Sequence, residues 1–162
     1  MRLGITGHRG LPAPVAAQVR AALDEFVAAR APAAVGPTKL TAVSNLADGP
    51  DSWFARAVLD HGGSLEVVVP AGEYRAGLPT WHHPEYDALY ARATAVHRTG
   101  LTASTPEAHQ TGSEMLVSLV DELVAVWDGR PARGYGGTAD VVAHARHLGI
   151  PVRIVWPDGA TR

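Results

Sequence analysis

Two glycine-rich turns carry the groups in this sequence that are best suited to bind an anion. The first is Gly7-His8-Arg9-Gly10, and the second runs from Arg133 through Gly136 and Gly137 to Thr138. Glycine allows positive φ angles, which bring backbone N–H groups close to an anion, and arginine offers a planar cationic fork suited to phosphate. The second turn also opens a predicted helix, whose first N–H groups lack partners and whose dipole favours negative charge. Together the two turns predict a phosphate site.

Polar residues that could hold a sugar follow two predicted strands. Ser44-Asn45 and Asp48-Gly49-Pro50-Asp51 offer a hydroxyl, an amide and carboxylates, and Asp128-Gly129 precede the second turn. Each group also has a purely structural interpretation. The glycines could form tight turns between strand and helix, Thr138 could cap a helix, and Arg9 could pair with a surface carboxylate. The sequence leaves both interpretations open.

The standard phosphate and metal motifs are absent. Gly4, Gly7 and Gly10 have the spacing G-x-x-G-x-x-G, whereas the dinucleotide fingerprint needs G-x-G-x-x-G and an acidic residue after the second strand. The only lysine, Lys39, belongs to no P-loop pattern. His82-His83 have no third ligand at a recognisable spacing, and the chain contains no cysteine. We therefore predict no NAD site, no P-loop ATP site, no metal site and no resident cofactor.

The elements that must position these turns alternate between strand and helix. Apolar runs predict strands at 3–6, 41–44, 65–69, 123–127 and 152–155. Helical periodicity lies between them, including a first helix that Pro32 ends, one over 85–98 and one that starts at Thr105-Pro106. The alternation predicts a single Rossmann-like three-layer α/β domain over 1–162, with a mostly parallel sheet of about five strands and helices on both faces.

Ligands of such folds bind beyond the carboxyl ends of the strands. The predicted site therefore also includes Pro70, which follows the third strand and begins a long loop that reaches Pro84. Two aromatic residues in this loop, Tyr74 and Trp81, are the candidates for stacking on a base.

Charge and hydropathy narrow the range of partners. The chain has 162 residues, a net charge of -2 and scattered arginines without a basic stripe, so we expect no nucleic acid as a partner. No apolar run approaches the roughly 20 residues of a membrane helix, and the first residues resemble no export signal. We expect a cytoplasmic protein with no membrane partner.

Four segments, in order along nearly the whole chain, match a known pattern. They are GITGHR at 4–9, SNLADGPD at 44–51, VVVP at 67–70, and 121–138, which begins DELVAVWDG and ends GGT. These segments resemble the SLOG superfamily of Rossmann-like domains, which includes the LOG phosphoribohydrolases and the DprA core. The resemblance implies a small-molecule ligand that is a nucleotide or derives from one. It also implies a homodimer, for which the helices near 85–120 are the candidate surface.

The LOG branch cleaves the N-glycosidic bond of nucleoside monophosphates with a P-G-G-x-G-T-x-x-E pattern and an arginine–lysine pair on the preceding helix. Here Val141 stands in place of the glutamate, and Gly112 and Ser113 stand in place of the arginine and lysine. Glu114 or Asp51 is the candidate for a replacement catalytic carboxylate, and Gln110 is a candidate to point into the crevice from the same helix.

Three functions follow from these observations. The first is the binding of a nucleotide or nucleotide-derived phosphate ligand at the carboxyl ends of the strands. The second is a LOG-like nucleoside 5′-monophosphate phosphoribohydrolase with a rearranged catalytic carboxylate. The third is a protein-interaction or assembly module whose pocket is vestigial.

Overall fold

The computed structural model describes residues 1–31, 39–132 and 134–162, so Pro32 and Arg133 lie outside the described residues. The strands are β1 (Arg2–Gly7), β2 (Thr41–Ser44), β3 (Ser64–Val69), β4 (Ala95–Arg98), β5 (Glu122–Val126) and β6 (Val152–Val155). The helices are α1 (Ala13–Arg30), α2 (Pro50–Asp60), α3 (Tyr74–Gly77), α4 (His83–Tyr90), α5 (Pro106–Ser118) and α6 (Thr138–His147), and a 3₁₀ turn covers Thr80–His82.

The strands form one parallel sheet in the order β4-β3-β2-β1-β5-β6. The predicted three-layer α/β fold is confirmed, and the sheet has six strands where about five were predicted. Within the described ranges, no helix combines the length and the apolar character that crossing a membrane requires.

The additional strand is β4, which the sequence pattern assigned to a helix over 85–98. The helix ends at Tyr90, and Ala95–Arg98 pairs with β3 as an edge strand. Its residues alternate between half-buried and exposed, which is the period of a strand with one solvent-facing side. Thr94 begins the pairing because its N–H and its hydroxyl both donate to the Leu65 carbonyl. Four residues of alternation are too few to separate from a helical period by sequence.

Two apolar cores cover the two faces of the sheet. One contains residues of α1, α2 and α4, with Leu23, Phe54 and Leu89 fully buried. The other contains residues of α5 and α6, including Leu116 and Val141. The central strands contribute to both cores, which explains why their sequences are apolar almost throughout.

The order of the strands reverses direction between β1 and β5. The chain moves outward from β1 to β4, and α5 then carries it back across the sheet to β5, on the other side of β1. Thr105 caps α5 by accepting a hydrogen bond from the Ala108 N–H at 3.1 Å, as predicted, and Pro106 occupies the first turn. A crevice at the carboxyl ends of β1 and β5 is the usual ligand position in open α/β sheets.

Candidate anion-binding crevice

The two glycine turns predicted to bind an anion lie in the same cavity. It has a volume of about 350 Å³ and opens at the carboxyl ends of β1 and β5. The residues that line it come from the first turn, from the second turn and from one distant position: Gly7, His8, Arg9, Gly10, Ala132, Gly134, Tyr135, Gly137, Thr138 and Arg162.

Gly7 lets three elements approach each other at the base of this crevice. A Cβ atom at this position would lie 2.8 Å from Pro50 Cβ and 2.9 Å from Val126 Cβ, which is closer than real Cβ atoms approach. The start of α2 therefore packs directly against the end of β1. The glycine has a packing role here in addition to forming the turn.

His8 is buried and held by hydrogen bonds on both sides of its ring. Its backbone N–H donates to the Val126 carbonyl at 3.1 Å, and its Nε2 lies 3.2 Å from Asp128 Oδ1. Its Nδ1 lies 3.3 Å from Nη1 of Arg162. Because an arginine nitrogen only donates, Nδ1 accepts this bond. Nε2 faces both the Oδ1 atom of Asp128 and the backbone N–H of Asp128, the latter at 3.3 Å. The edge of Trp156 packs against the ring at 5.7 Å between centroids.

Arg9 pairs with a buried carboxylate, which is the structural role that the sequence left open. Its Nε and Nη2 donate to Asp48 Oδ1 at 2.9 and 2.5 Å, while the arginine side chain stays 46% exposed. Burial opposes the charge on Arg9, but the bond to Asp48 and its attraction raise the pKa of the guanidinium. Arg9 is therefore a fixed, permanent cation at the crevice.

The second turn presents the start of α6 to the cavity. Gly136 has a φ of +83°, and its N–H donates to Asp140 Oδ2 at 3.0 Å. Gly137 is the N-cap residue, and it cannot cap α6 with a side chain. Thr138 is the first residue of the helix and is buried, so it is not the N-cap that the sequence allowed. The Asp140 N–H donates to the Gly137 carbonyl at 3.1 Å, so the N–H groups of Thr138 and Ala139 are the ones that begin α6 without an intrahelical partner.

Gln110 lies next to this turn on α5. Its side chain is buried, and its Nε2 donates to Glu114 Oε1 at 3.2 Å. Gln110 Oε1 is the one buried side-chain polar atom without a partner in the part of the chain that the structure describes. A Cβ atom at Gly136 would lie 3.8 Å from Gln110 Cβ, so the unpaired oxygen belongs to a residue that packs on the turn.

The residues predicted to hold a sugar are instead engaged in the fold, and none of them lines the cavity. Ser44 Oγ donates to the Asp51 carbonyl at 3.1 Å, and Asn45 Nδ2 donates to the Val68 carbonyl at 2.9 Å. Gly49 is the N-cap residue of α2 with a φ of +92°. The remaining predicted positions act in turns and packing: Pro70 packs against Gly112, Gly129 has a φ of +82°, and Asp128 holds His8.

The two candidate catalytic carboxylates lie outside the cavity. Asp51 is buried in the first turn of α2, where its Oδ2 accepts from the Ala47 N–H at 3.3 Å. Burial raises the pKa of Asp51 to about 7 against the opposing effects of that bond and of the nearby Arg9 charge. Glu114 is exposed on α5 and pairs only with Gln110 in the described residues. The structure does not bring Asp51 and Glu114 together with the glycine turns.

The two aromatic residues predicted to stack on a base also lie elsewhere. Tyr74 is buried, with its ring 6.4 Å from that of Tyr86 and 5.6 Å from that of His109. Trp81 is 72% exposed and lines a second groove of about 920 Å³ between α1, α2, the 3₁₀ turn and the start of α4. The predicted position of the base over the 70–81 loop therefore has no support in the geometry of the crevice.

Sequence reasoning missed Arg162. This residue lines the cavity, and its Nε lies 2.9 Å from Asp128 Oδ2 with its side chain 14% exposed. Burial opposes ionisation of Asp128, while the Arg130 N–H, His8 and Arg162 lower the pKa of its carboxyl group. No motif points to Arg162, because its contact to His8 spans 154 positions of the chain.

The sequence matches no protein-family model and no curated protein. Solved structures do match. TM1055, a structural genomics target, has a TM-score of 0.59 at 22% identity, covering 93% of this chain and 71% of that one. DNA processing protein A (DprA) of Streptococcus pneumoniae has a TM-score of 0.67 at 16% identity, with 98% and 51% covered. DNA processing protein A of Helicobacter pylori, described with a single-stranded DNA binding mode, has a TM-score of 0.68 at 12% identity, with 99% and 68% covered.

These similarities correct one expectation and confirm another. The exclusion of nucleic acid as a partner was wrong, because a protein with this same fold binds single-stranded DNA although the net charge had argued against such a partner. The chain spans about half of the length of the Streptococcus protein, so it corresponds to a part of that molecule. The predicted resemblance is confirmed at the level of fold: this chain shares its Rossmann-like fold with TM1055 and with the two DprA proteins.

Proposed function

We propose that the crevice binds the phosphate group of a nucleotide or nucleotide-derived ligand. The observation that carries the proposal is the convergence of both glycine turns, the start of α6 and the Arg9 cation on one cavity. Each of these features favours an anion, and their position at the reversal of strand order is where open α/β folds bind ligands.

Gln110 does not itself line the cavity, but it packs on the second turn, and its unpaired oxygen supports a ligand that reaches past this turn. A buried carbonyl oxygen without a partner costs about 1–3 kcal/mol, a cost that a ligand N–H or O–H group would remove. Its amide nitrogen is already committed to Glu114, so the amide presents an acceptor rather than a donor. A ribose hydroxyl or an exocyclic amine of a base is the matching group.

Binding is favoured over hydrolysis by the composition of the cavity. The described residues that line it include two arginines and a histidine but no carboxylate. Glycosidic cleavage relies on carboxylate groups close to the bond that breaks. Asp51 and Glu114 lie outside the lining, so neither is placed to perform that role.

The test compares ligands that differ only in the phosphate. Nucleoside 5′-monophosphates, diphosphates, NAD and ADP-ribose are titrated by calorimetry and thermal shift, with the parent nucleosides as controls. We expect at least one phosphorylated ligand to bind and its nucleoside to bind at least tenfold more weakly. Equal binding of nucleoside and nucleotide, or no binding of any member of the series, would overturn the proposal.

A matched pair of variants locates the site. Thr138→Val removes one hydroxyl at the start of α6 and is expected to weaken nucleotide binding about tenfold, because a bond to a charged group contributes about 1.5 kcal/mol. Thr111→Val makes the same change at an exposed position on α5, where the hydroxyl donates to the Glu107 carbonyl, and is expected to bind like the wild type. Equal effects of the two variants would place the ligand elsewhere.

Single-stranded nucleic acid is the second candidate ligand, because the Helicobacter protein with this fold binds single-stranded DNA. A phosphodiester offers the crevice the same anionic oxygens as a mononucleotide. Anisotropy of a labelled 15-nucleotide oligo-dT distinguishes the two: binding that inorganic phosphate displaces would support this candidate, and no binding at low salt would reject it. The homodimer stays a prediction that sedimentation velocity can test.

A further inference from the structure

We infer that Arg162 is a second cationic anchor for the phosphate, opposite Arg9, which deepens the proposed function and rests on it. The chain reaches this position by a tight turn after β6. Trp156 Nε1 donates to the Ala160 carbonyl at 3.1 Å, and the Ala160 N–H donates to the Pro157 carbonyl at 3.2 Å. The turn directs the chain back over the carboxyl end of β5 and into the lining of the cavity.

The guanidinium of Arg162 is held on three sides. Its Nε lies 2.9 Å from Asp128 Oδ2, its Nη2 donates to the Pro131 carbonyl at 3.0 Å, and its Nη1 donates to His8 Nδ1 at 3.3 Å. A side chain fixed in this way loses little rotamer freedom when a ligand arrives, so a larger part of the interaction energy appears as affinity.

Arg162 has N–H donors that the described residues do not use. A guanidinium has five N–H donors, and the described contacts use one on each of its three nitrogens. One N–H on Nη1 and one on Nη2 therefore have no protein partner in the described residues. Arginine N–H groups are strong donors to phosphate oxygens, and these two belong to a residue that lines the cavity.

The two arginines of the crevice belong to two ion pairs of the same kind. Asp48 pairs with Arg9 and Asp128 pairs with Arg162, so each cation in the crevice is balanced by its own carboxylate. Neither carboxylate lines the cavity, whereas both arginines do. The ligand thus meets the cationic side of two ion pairs and the positive end of α6, and removal of either arginine leaves one buried carboxylate uncompensated near the anion.

The test measures binding of inorganic phosphate and of the four ribonucleoside 5′-monophosphates to Arg162 variants. Arg162→Gln is expected to weaken both kinds of probe at least tenfold, and Arg162→Lys, which keeps charge without the bidentate fork, by about threefold to fivefold. Arg92→Gln is the matched control, because Arg92 is exposed and precedes β4 at the opposite edge of the sheet. This variant is expected to bind both kinds of probe within twofold of wild type.

A double variant separates ligand binding from folding. Arg162→Gln removes the arginine partner of the Asp128 carboxylate, which keeps only its contacts to His8 Nε2 and the Arg130 N–H. The double variant Arg162→Gln with Asp128→Asn restores the charge balance, and its circular dichroism and urea unfolding show whether it is folded. A folded double variant that has lost phosphate binding would support the inference. Phosphate binding within twofold of wild type in either variant would overturn it while leaving the proposed function intact. Absence of binding by the wild-type protein would instead overturn the proposed function together with this inference.

Discussion

The crevice and the groove differ in size and in charge, and the smaller of the two is the better anion site. The groove between α1 and α2 measures about 920 Å³, and the crevice about 350 Å³. Among the described residues, four acidic side chains and two arginines line the groove, whereas two arginines and no acidic side chain line the crevice. The comparison teaches that volume alone does not identify a binding site, because the chemistry of the lining decides which ligand it can hold.

Several charged side chains of the groove have partners in the fold. Arg56 pairs with Glu85 at 3.0 Å, Asp24 lies 3.0 Å from His61, and Arg20 stacks over Trp53 at 5.3 Å. In the crevice the start of α6 has no side-chain cap, and Arg162 has donors to spare. Among the described residues, the crevice combines spare donors with a lining that has no acidic side chain, whereas acidic side chains line the groove.

The largest expected effect concerns Asp51, which precedes the groove residue Ser52 and interacts with the crevice residue Arg9. Its pKa is about 7 in the folded chain against 3.8 ordinarily, so the folded state keeps a proton that the unfolded state releases. Its contribution to stability is present below pH 4 and is lost as the pH rises through 7. From pH 5 to pH 8 the wild type is expected to lose about 3 kcal/mol relative to Asp51→Asn.

Urea unfolding of both proteins at the two pH values measures this difference. Asp158→Asn, at an exposed turn, serves as the control and is expected to follow the wild type. A relative change below about 1 kcal/mol would contradict a raised carboxyl pKa at Asp51.

Gly136→Ala tests whether the crevice depends on the shape of its second turn. The φ of +83° disfavours alanine, and the added Cβ would lie 2.9 Å from the Pro106 carbonyl oxygen. We expect a loss of about 2 kcal/mol in stability and at least a tenfold loss of nucleotide affinity. Gly62→Ala, at the same φ of +83° in a turn outside the crevice lining, is the control and is expected to keep wild-type nucleotide affinity. Similar losses of affinity in both variants would show that the shape of this turn is unimportant.

Gln110→Met is expected to raise the stability of the free protein and to lower its nucleotide affinity. Methionine has a similar shape and removes the unpaired buried oxygen, so we expect the free protein to gain about 1 kcal/mol. Nucleotide affinity is expected to fall severalfold, because the acceptor for the ligand is gone. A variant that is destabilised and binds normally would show that Gln110 serves the fold alone.

Trp81→Ala carries the smallest expected effect and is the sharpest test of the comparison. Trp81 lines the groove and is 72% exposed. Its removal is therefore expected to leave the unfolding temperature unchanged and the nucleotide affinity within twofold of wild type. Thermal unfolding and calorimetry measure both quantities. A strong loss of affinity would move the nucleotide to the groove.

The sequence predicted the fold well because its information is local and periodic. β2 and β6 begin and end at the predicted residues. A short run of strand-forming residues between turn residues forms a strand in an α/β chain. β4 was missed because an edge strand of four residues, half of them exposed, has no apolar run.

The site was predicted only where its residues are contiguous in sequence. The turns at Gly7–Gly10 and Gly136–Thr138 were found as glycine motifs after strands, and the parallel pairing of β1 with β5 brings them together. The position of Asp51 under the crevice, and the exclusion of Tyr74 from it, depend on packing that no short motif encodes. Arg162 could not be found because a lone arginine after a turn has no distinguishing sequence context.

The bond between Arg162 and His8 joins residues that are 154 positions apart. A ligand held by both can therefore bind only after the first strand, the reversal through α5 and the turn after β6 have all formed. The ligand would then bind the fully folded chain and no partly folded form. It would raise the free energy of unfolding by RT ln(1 + [L]/Kd), which grows with ligand concentration. Ligand affinity would thus report on the integrity of the entire chain, and fragments that retain most of the sheet would show none.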